Sequence, residues 1–237
     1  MSPTNPGGDD PAPRTVREER SPSPMRRTIA NRLRESYREA VHVTVSREVD
    51  AEALVATADA SPTVSITDVL IRALSDALDA HPAFNATFED GTHRLYEEHN
   101  VGVAVDIDEG LVTPVVPDVG SKSLDDIATE RRRLTEAVRR GDYTMADLRG
   151  GTITVSNLGS LGVDAFTPII NPPEIAILGV NRIRERAMPD GDGDAAFRRR
   201  LRLDLSFDHR IVDGADAARF LGTLGEAVED AERYRDR

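Results

Sequence analysis

The sequence predicts one domain of the α/β or α+β class. Two observations predict it: short apolar runs with strand periodicity alternate with long amphipathic helices, and no internal repeat divides the chain. At 237 residues the chain is long enough to bury a sizeable core.

Residues 1–24, rich in Pro, Gly, Asp, Glu and Ser, read as a disordered tail ahead of a domain spanning 25–237. A helix is expected from Met25, where Ile29, Leu33, Tyr37 and Ala40 recur at helical spacing. Val41–Ser46 alternates like a strand, and a short helix follows over Ala51–Ala58. Ile66–Ala80 is a long helix capped by Ser65 or Thr67 and stopped by Pro82. Phe84–Phe88 and Arg94–Tyr96 pair around Asp90-Gly91, and Val101–Val105 and Leu111–Val116 read as buried strands joined at Asp108-Glu109-Gly110. Ser123–Arg140 is an amphipathic helix. Strands are expected at Thr152–Ser156, Glu174–Val180 and Arg199–Phe207, with a hairpin turn at Asp190–Asp194 and a closing helix over Asp213–Asp230.

Composition excludes several classes. The net charge of −12 repels nucleic acid. No run of about 18 apolar residues spans a membrane, and the N-terminus lacks the apolar core of a signal peptide, so a cytoplasmic location is expected. There is no cysteine, hence no disulfide, thiolate metal site or cysteine nucleophile. His42, His81, His93 and His99 lack metal-ligand spacing, and no metal is expected. Lys122 is the only lysine among 30 basic residues. That acidic, arginine-dominated composition fits a salt-loving organism, expected to be a halophilic archaeon, although an ordinary acidic protein shares it.

The most informative stretch is Ser206–Ala215 (SFDHRIVDGA). His209 follows an apolar run, Asp213 stands four positions on, and Gly214 opens an apolar helix. This suits a general base that activates a thiol supplied by a substrate. The alternative is structural: His209 braces a turn and Asp213 caps the helix.

Three further segments accompany it: Val101–Pro117 (VGVAVDIDEGLVTPVVP), Gly150–Gly159 (GGTITVSNLG), and Phe166–Glu174 (FTPIINPPE) with Ala176–Gly179 (AILG). Together, in this order, the four resemble the catalytic domain of the dihydrolipoamide acyltransferases of 2-oxo acid dehydrogenase complexes, over roughly Met25 to the C-terminus. The resemblance implies a chloramphenicol acetyltransferase-like mixed sheet flanked by helices. It implies a homotrimer as building block, able to assemble into a cubic or dodecahedral core. It implies a channel between subunits, where dihydrolipoamide and coenzyme A enter from opposite ends and the histidine and serine come from neighbouring copies. The reaction expected is direct acyl transfer between the two thiols. His209 is then the general base, Ser156 the oxyanion donor beside Asn157, and Asp213 the residue orienting the His209 region. Ser65, Asp106 and Asn157 match positions for coenzyme A. Ser65 is equally readable as a helix cap and Asp106 as the flank of a turn.

Neither a lipoyl domain nor a peripheral subunit-binding domain is expected, because the stretch ahead of residue 25 is short and linker-like. Lys122 lies inside the catalytic match, so the lipoyl group is expected from a lipoyl-bearing protein in trans or as free dihydrolipoamide. Ser156–Gly159 (SNLG) looks closer to acetyl or branched-chain acyltransferases than to succinyl ones. Two other readings remain at this point: a coenzyme A-dependent acyltransferase with a non-lipoyl acceptor, and a largely structural complex core.

Overall fold

The computed structural model describes residues 14–108, 110–189 and 194–235. Of the expected tail, residues 1–13 lie outside these, and residues 14–23 are exposed and enter no helix or strand. Residues 190–193 of the expected hairpin turn, and Glu109 of the other turn, also lie outside the described residues.

Five helices form where apolar periodicity and caps coincide. α1 (Pro24–Glu39) starts at Ser23, whose hydroxyl accepts the Arg26 N–H. α2 (Glu52–Asp59) is short. α3 (Ile66–Ala80) opens on a capping box between Ser65 and Asp68. α4 (Leu124–Arg140) stops at Gly141, whose φ of 76° suits glycine. α5 (Gly214–Glu229) follows Asp213.

The strands are β1 (His42–Asp50), β2 (Ala86–Glu89), β3 (Thr92–Leu95), β4 (Val101–Val103), β5 (Val105–Ile107), β6 (Gly110–Val112), β7 (Val115–Val116), β8 (Ile153–Asn157), β9 (Ala176–Pro189) and β10 (Ala195–Asp208). Six of them form a mixed sheet in the order β1-β10-β9-β8-β4-β7, in which β9, β8 and β4 run parallel. β2–β3 and β5–β6 are separate hairpins.

The two faces of the sheet differ in chemistry. Val155, Leu178, Leu205 and Val45 lie in register on the core face. α5 packs against β1 and α3 on that side. One residue along, Ser156, Gly179, Asp204 and Ser46 form a row on the opposite face, and Thr154, Ile177, Ser206 and Thr44 form the next. Most of these polar groups are buried, so each must find a partner inside the protein. Thr44 Oγ1 meets Ser206 Oγ at 2.7 Å, and Asn181 Nδ2 donates to Asp204 Oδ2 at 2.7 Å. Burial alone would raise the Asp204 carboxyl, but hydrogen bonds from Ser46, Asn181 and Arg202 outweigh it and hold it below its ordinary range.

Three expectations need correction. Val101–Val105 is not one strand: β4 ends at Val103, Ala104 turns its N–H to Val155 O, and β5 leaves for its own hairpin. Leu111–Val116 splits likewise into β6 and β7, so only Val115–Val116 pairs with β4. β9 and β10 run 14 residues each, well past the apolar runs, because their outer halves pair as an arginine-rich ribbon with few other neighbours.

Candidate active site

His209 stands one residue past β10. Its backbone N–H donates to Val41 O at 2.9 Å, which keeps the end of β10 beside the start of β1. The ring lies against Phe207, and its side chain is 40% exposed. Asp213 Oδ1 lies 3.7 Å from His209 Nδ1, beyond hydrogen-bond length, and the Asp213 side chain is 78% exposed. The two residues flanking His209, not singled out in the sequence, form an ion pair of their own. Arg210 donates to Asp208 from Nε at 3.0 Å and from Nη2 at 2.6 Å. The signal was present, since Asp208 and Arg210 flank His209 directly.

Ser156 lies within β8 and is 8% exposed. Asn157, next to it, donates from Nδ2 to Thr67 Oγ1 at 3.0 Å and accepts the Gly159 N–H at 2.9 Å. It therefore ties the end of β8 to the first turn of α3. Ser65 caps that same turn, accepting the Asp68 N–H and donating to Asp68 Oδ2, while Arg131 of α4 clamps the Asp68 carboxylate. The Ser65 hydroxyl is thus engaged in the helix cap. Asp106 is exposed on β5, where it pairs with Leu111 of β6. Ser65, Asn157 and Ser156 gather at one end of β8; His209 and Asp213 do not join them.

The separation follows from register. Ser156 pairs with Gly179, which pairs with Asp204, and His209 lies five positions beyond Asp204. Two strand spacings and five residue rises place His209 and Ser156 of one chain roughly 19 Å apart.

A second polar group lies under β8. Glu174 is buried, accepts Thr154 Oγ1–H at 2.6 Å and Asn171 Nδ2–H at 2.9 Å, and sits against Gly151. A Cβ at Gly151 would come within 2.8 Å of Glu174 Oε1, so the glycine admits the carboxyl. Burial pushes Glu174 up to about 7, against the lowering effect of its two hydrogen bonds. Thr154 also lines an apolar cavity of about 360 Å³ under α1, bounded by Ile29, Leu33, Leu111, Ile169 and Ile177, with Arg32 at its edge.

The other histidines serve packing. His42 Nε2 accepts the Ile170 N–H at 3.2 Å, His81 meets Thr223, His93 meets Ala83 O and His99 meets Ser75. Among the described residues no three His, Cys, Asp or Glu side chains are grouped to hold a metal ion, and no helix is long and apolar enough to cross a membrane.

The chain has the fold of chloramphenicol acetyltransferase, a mixed sheet flanked by helices. A solved chloramphenicol acetyltransferase superposes with a TM-score of 0.53 at 17% identity, over 85% of this chain and 93% of that one. Sequence narrows the class. Residues 15–234 match the 2-oxoacid dehydrogenases acyltransferase (catalytic domain) family, and the chain belongs to that family. It is 36% identical over 220 residues to the dihydrolipoyllysine-residue acetyltransferase component of the pyruvate dehydrogenase complex of Bacillus subtilis, covering 89% of this chain and 50% of that protein. It is 39% identical over 229 residues to the succinyltransferase component of the 2-oxoglutarate dehydrogenase complex of Bartonella vinsonii subsp. berkhoffii, covering 92% and 55%. The chain thus spans about half the length of these curated relatives. Two solved structures each superpose with a TM-score of 0.89 at 31% identity, over 98% of this chain and 99% of theirs. One is the cubic core of a pyruvate dehydrogenase multienzyme complex. The other is the dihydrolipoamide acetyltransferase of Azotobacter vinelandii, studied for the roles of a serine, a histidine and an asparagine in its mechanism, the last two four positions apart.

Proposed function

We propose that this chain transfers an acyl group between a dihydrolipoyl thiol and coenzyme A, in a site completed by a second copy. The observation that carries this reading is the roughly 19 Å between His209 and Ser156 within one chain. A base and an oxyanion donor acting on one carbonyl must both lie near it, so His209 of one copy faces Ser156 of its neighbour. A closed ring of copies satisfies every such pair at once. Three copies, stacked further into a cubic core, are the assembly we assign, and the likeness to a solved cubic core supports it.

A free thiol is mostly protonated at neutral pH. With Nδ1 of His209 turned toward Asp213, Nε2 is the nitrogen left to take the thiol proton. The sulfur attacks the thioester carbonyl carbon, and the Ser156 hydroxyl donates to the oxyanion that forms. The carbon–sulfur bond to the departing thiol then breaks, and His209 returns the proton to that sulfur. No covalent enzyme intermediate is required. The spacing of His209 and Asp213 equals that of the mechanistic histidine and asparagine in the Azotobacter vinelandii enzyme, which supports the assignment.

Near Ser156, the cavity beside Thr154 is lined mainly by apolar side chains, which suits a short neutral acyl group and the aliphatic arm carrying it. We therefore assign an acetyl or branched-chain donor ahead of a succinyl one. Ser65, Asp106 and Asn157 are the positions assigned to coenzyme A. The acidic surface with its single lysine supports a halophilic, cytoplasmic setting, where salt screens its self-repulsion.

Coenzyme A release from acetyl-, isobutyryl- and succinyl-CoA, with and without dihydrolipoamide in molar KCl, tests the reading. Dithiol-dependent release that disappears in His209→Ala is expected. Release independent of the dithiol, or unchanged in that variant, would overturn it.

A further inference from the structure

We propose that Asp208 and Arg210 are positioning residues that fix the imidazole of His209, with Phe88 of β2 anchoring Arg210. The inference rests on the reading of His209 as the base.

Among the described residues the His209 ring makes no hydrogen bond, and Asp213 Oδ1 approaches only to 3.7 Å. Its orientation must therefore come from the backbone that carries it and from Phe207 beneath it. That backbone is held chiefly by one carboxylate. Asp208, whose side chain is 4% exposed, accepts the Val41 N–H at 3.2 Å and the Arg210 N–H at 3.1 Å. It also accepts the Arg210 guanidinium through both oxygens. Its backbone carbonyl accepts the Ile211 and Val212 N–H groups, and its own N–H reaches Ile175 O. Asp208 thus joins β1, the approach to β9 and the turn after β10, with His209 between the anchors.

Arg210 extends the clamp outward. Its guanidinium carbon lies 5.0 Å from the centroid of the Phe88 ring, within cation–π range. The planar fork is then held between a carboxylate and an aromatic face, a geometry lysine does not reproduce. Burial would raise the Asp208 carboxyl, but the Arg210 guanidinium and backbone N–H groups outweigh it and keep it below its ordinary range. The pair therefore stays charged across the working pH range, while the exposed Asp213 contact is open to solvent.

The test compares Asp208→Asn, Arg210→Ala and Arg210→Lys with Asp76→Asn, which breaks a remote tie of α3 to Arg233 and Tyr234. Two quantities are read on each assembled protein. One is kcat and KM for acyl transfer. The other is the line shape of the His209 ring in spectra of isotope-labelled histidine, assigned with His209→Gln and needing no turnover. Asp208→Asn and Arg210→Ala are expected to lower kcat about 10- to 100-fold and to broaden or split the ring signal, with KM for coenzyme A within about twofold. Arg210→Lys should recover part of kcat. Asp76→Asn should lower the melting temperature and leave kcat and the ring signal as in the wild type. A native ring signal in both Asp208→Asn and Arg210→Ala, or a kcat loss that merely tracks lost folded protein, overturns the inference. A wild type that turns over no acyl-CoA would count against the acyl-transfer reading alone, since the ring spectra still judge the clamp.

Discussion

His209 and Ser156 both stand near strand ends of one sheet, yet opposite means hold them. The His209 turn lies on the rim, half open to solvent, and is tied by an ionised pair, Asp208 with Arg210. Ser156 is buried, and its surroundings are tied mostly by uncharged groups, Asn157 with Thr67 and Gly159, and by Thr154 with Glu174, whose carboxyl burial pushes toward its neutral form. Charge suits the rim, where the Arg210 guanidinium keeps contact with water and offsets the burial of the Asp208 carboxylate. Neutral hydrogen bonds suit the interior, where an unpaired charge would cost far more. Where a buried carboxylate does stay ionised, as Asp68 near Ser65 and Asp204 in the Ser156 row, a guanidinium meets it: Arg131 and Arg202.

The largest effect should come from removing the base. His209→Ala is expected to lower kcat by about 10²–10⁴-fold without unfolding the assembly, read by coenzyme A release. Ser156→Ala should follow closely, with about a 10²–10³-fold loss in kcat. Mixing the two inactive variants sharpens the comparison. In randomly co-assembled rings about a quarter of the sites would pair an intact His209 with an intact Ser156 of the neighbour. Activity should return toward that fraction after joint refolding. Its failure to return, in rings shown to be mixed, would place both groups of a site in one chain.

The interior end can be probed through Glu174. Its pKa in the folded state, about 7, lies above the ordinary 4.5. The stabilisation from its bound proton is complete below pH 4.5 and is lost as the pH rises through 7, amounting to about 3 kcal/mol. Glu174→Gln, which never ionises, should therefore gain about that much over the wild type on going from pH 4.5 to pH 8, read as unfolding free energies in denaturant. Taking the difference between the two proteins cancels His99, whose burial lowers its pKa and acts with the opposite sign. A constant difference would show that Glu174 is ionised throughout. The smallest effect is expected at Asp213. Its exposed 3.7 Å contact with His209 is worth at most about 1 kcal/mol. Asp213→Asn should change kcat by about fivefold or less, and a larger loss would move the orienting role from the Asp208–Arg210 clamp to Asp213.

Much of this was legible locally. The Ser65–Asp68 box, Gly141 and the spacing of Leu124, Ile127, Leu134 and Val138 are within-helix signals, and α3, α4 and α5 fall within a residue of their expected limits. The His209–Asp213 spacing was likewise readable, because both lie on one short turn. The strand lengths were not. Arg186 and Arg198 lie outside the expected strands and belong to β9 and β10 because they face each other across the ribbon.

The sequence by itself determined the helices, the turn that carries His209, the strand that carries Ser156, and the family to which the chain belongs. Only the tertiary structure decided that Val101–Val116 breaks into four strands, that Glu174 lies buried under Thr154, and that Asp208 pairs with Arg210 beside His209. It alone set His209 and Ser156 of one chain two strands and several residues apart. The reason is that helix hydrogen bonds close within four residues, whereas sheet register joins residues such as His42 and Asp208, far apart along the chain. Distances across a sheet, and the burial that shifts a carboxyl, exist only once those remote strands have met.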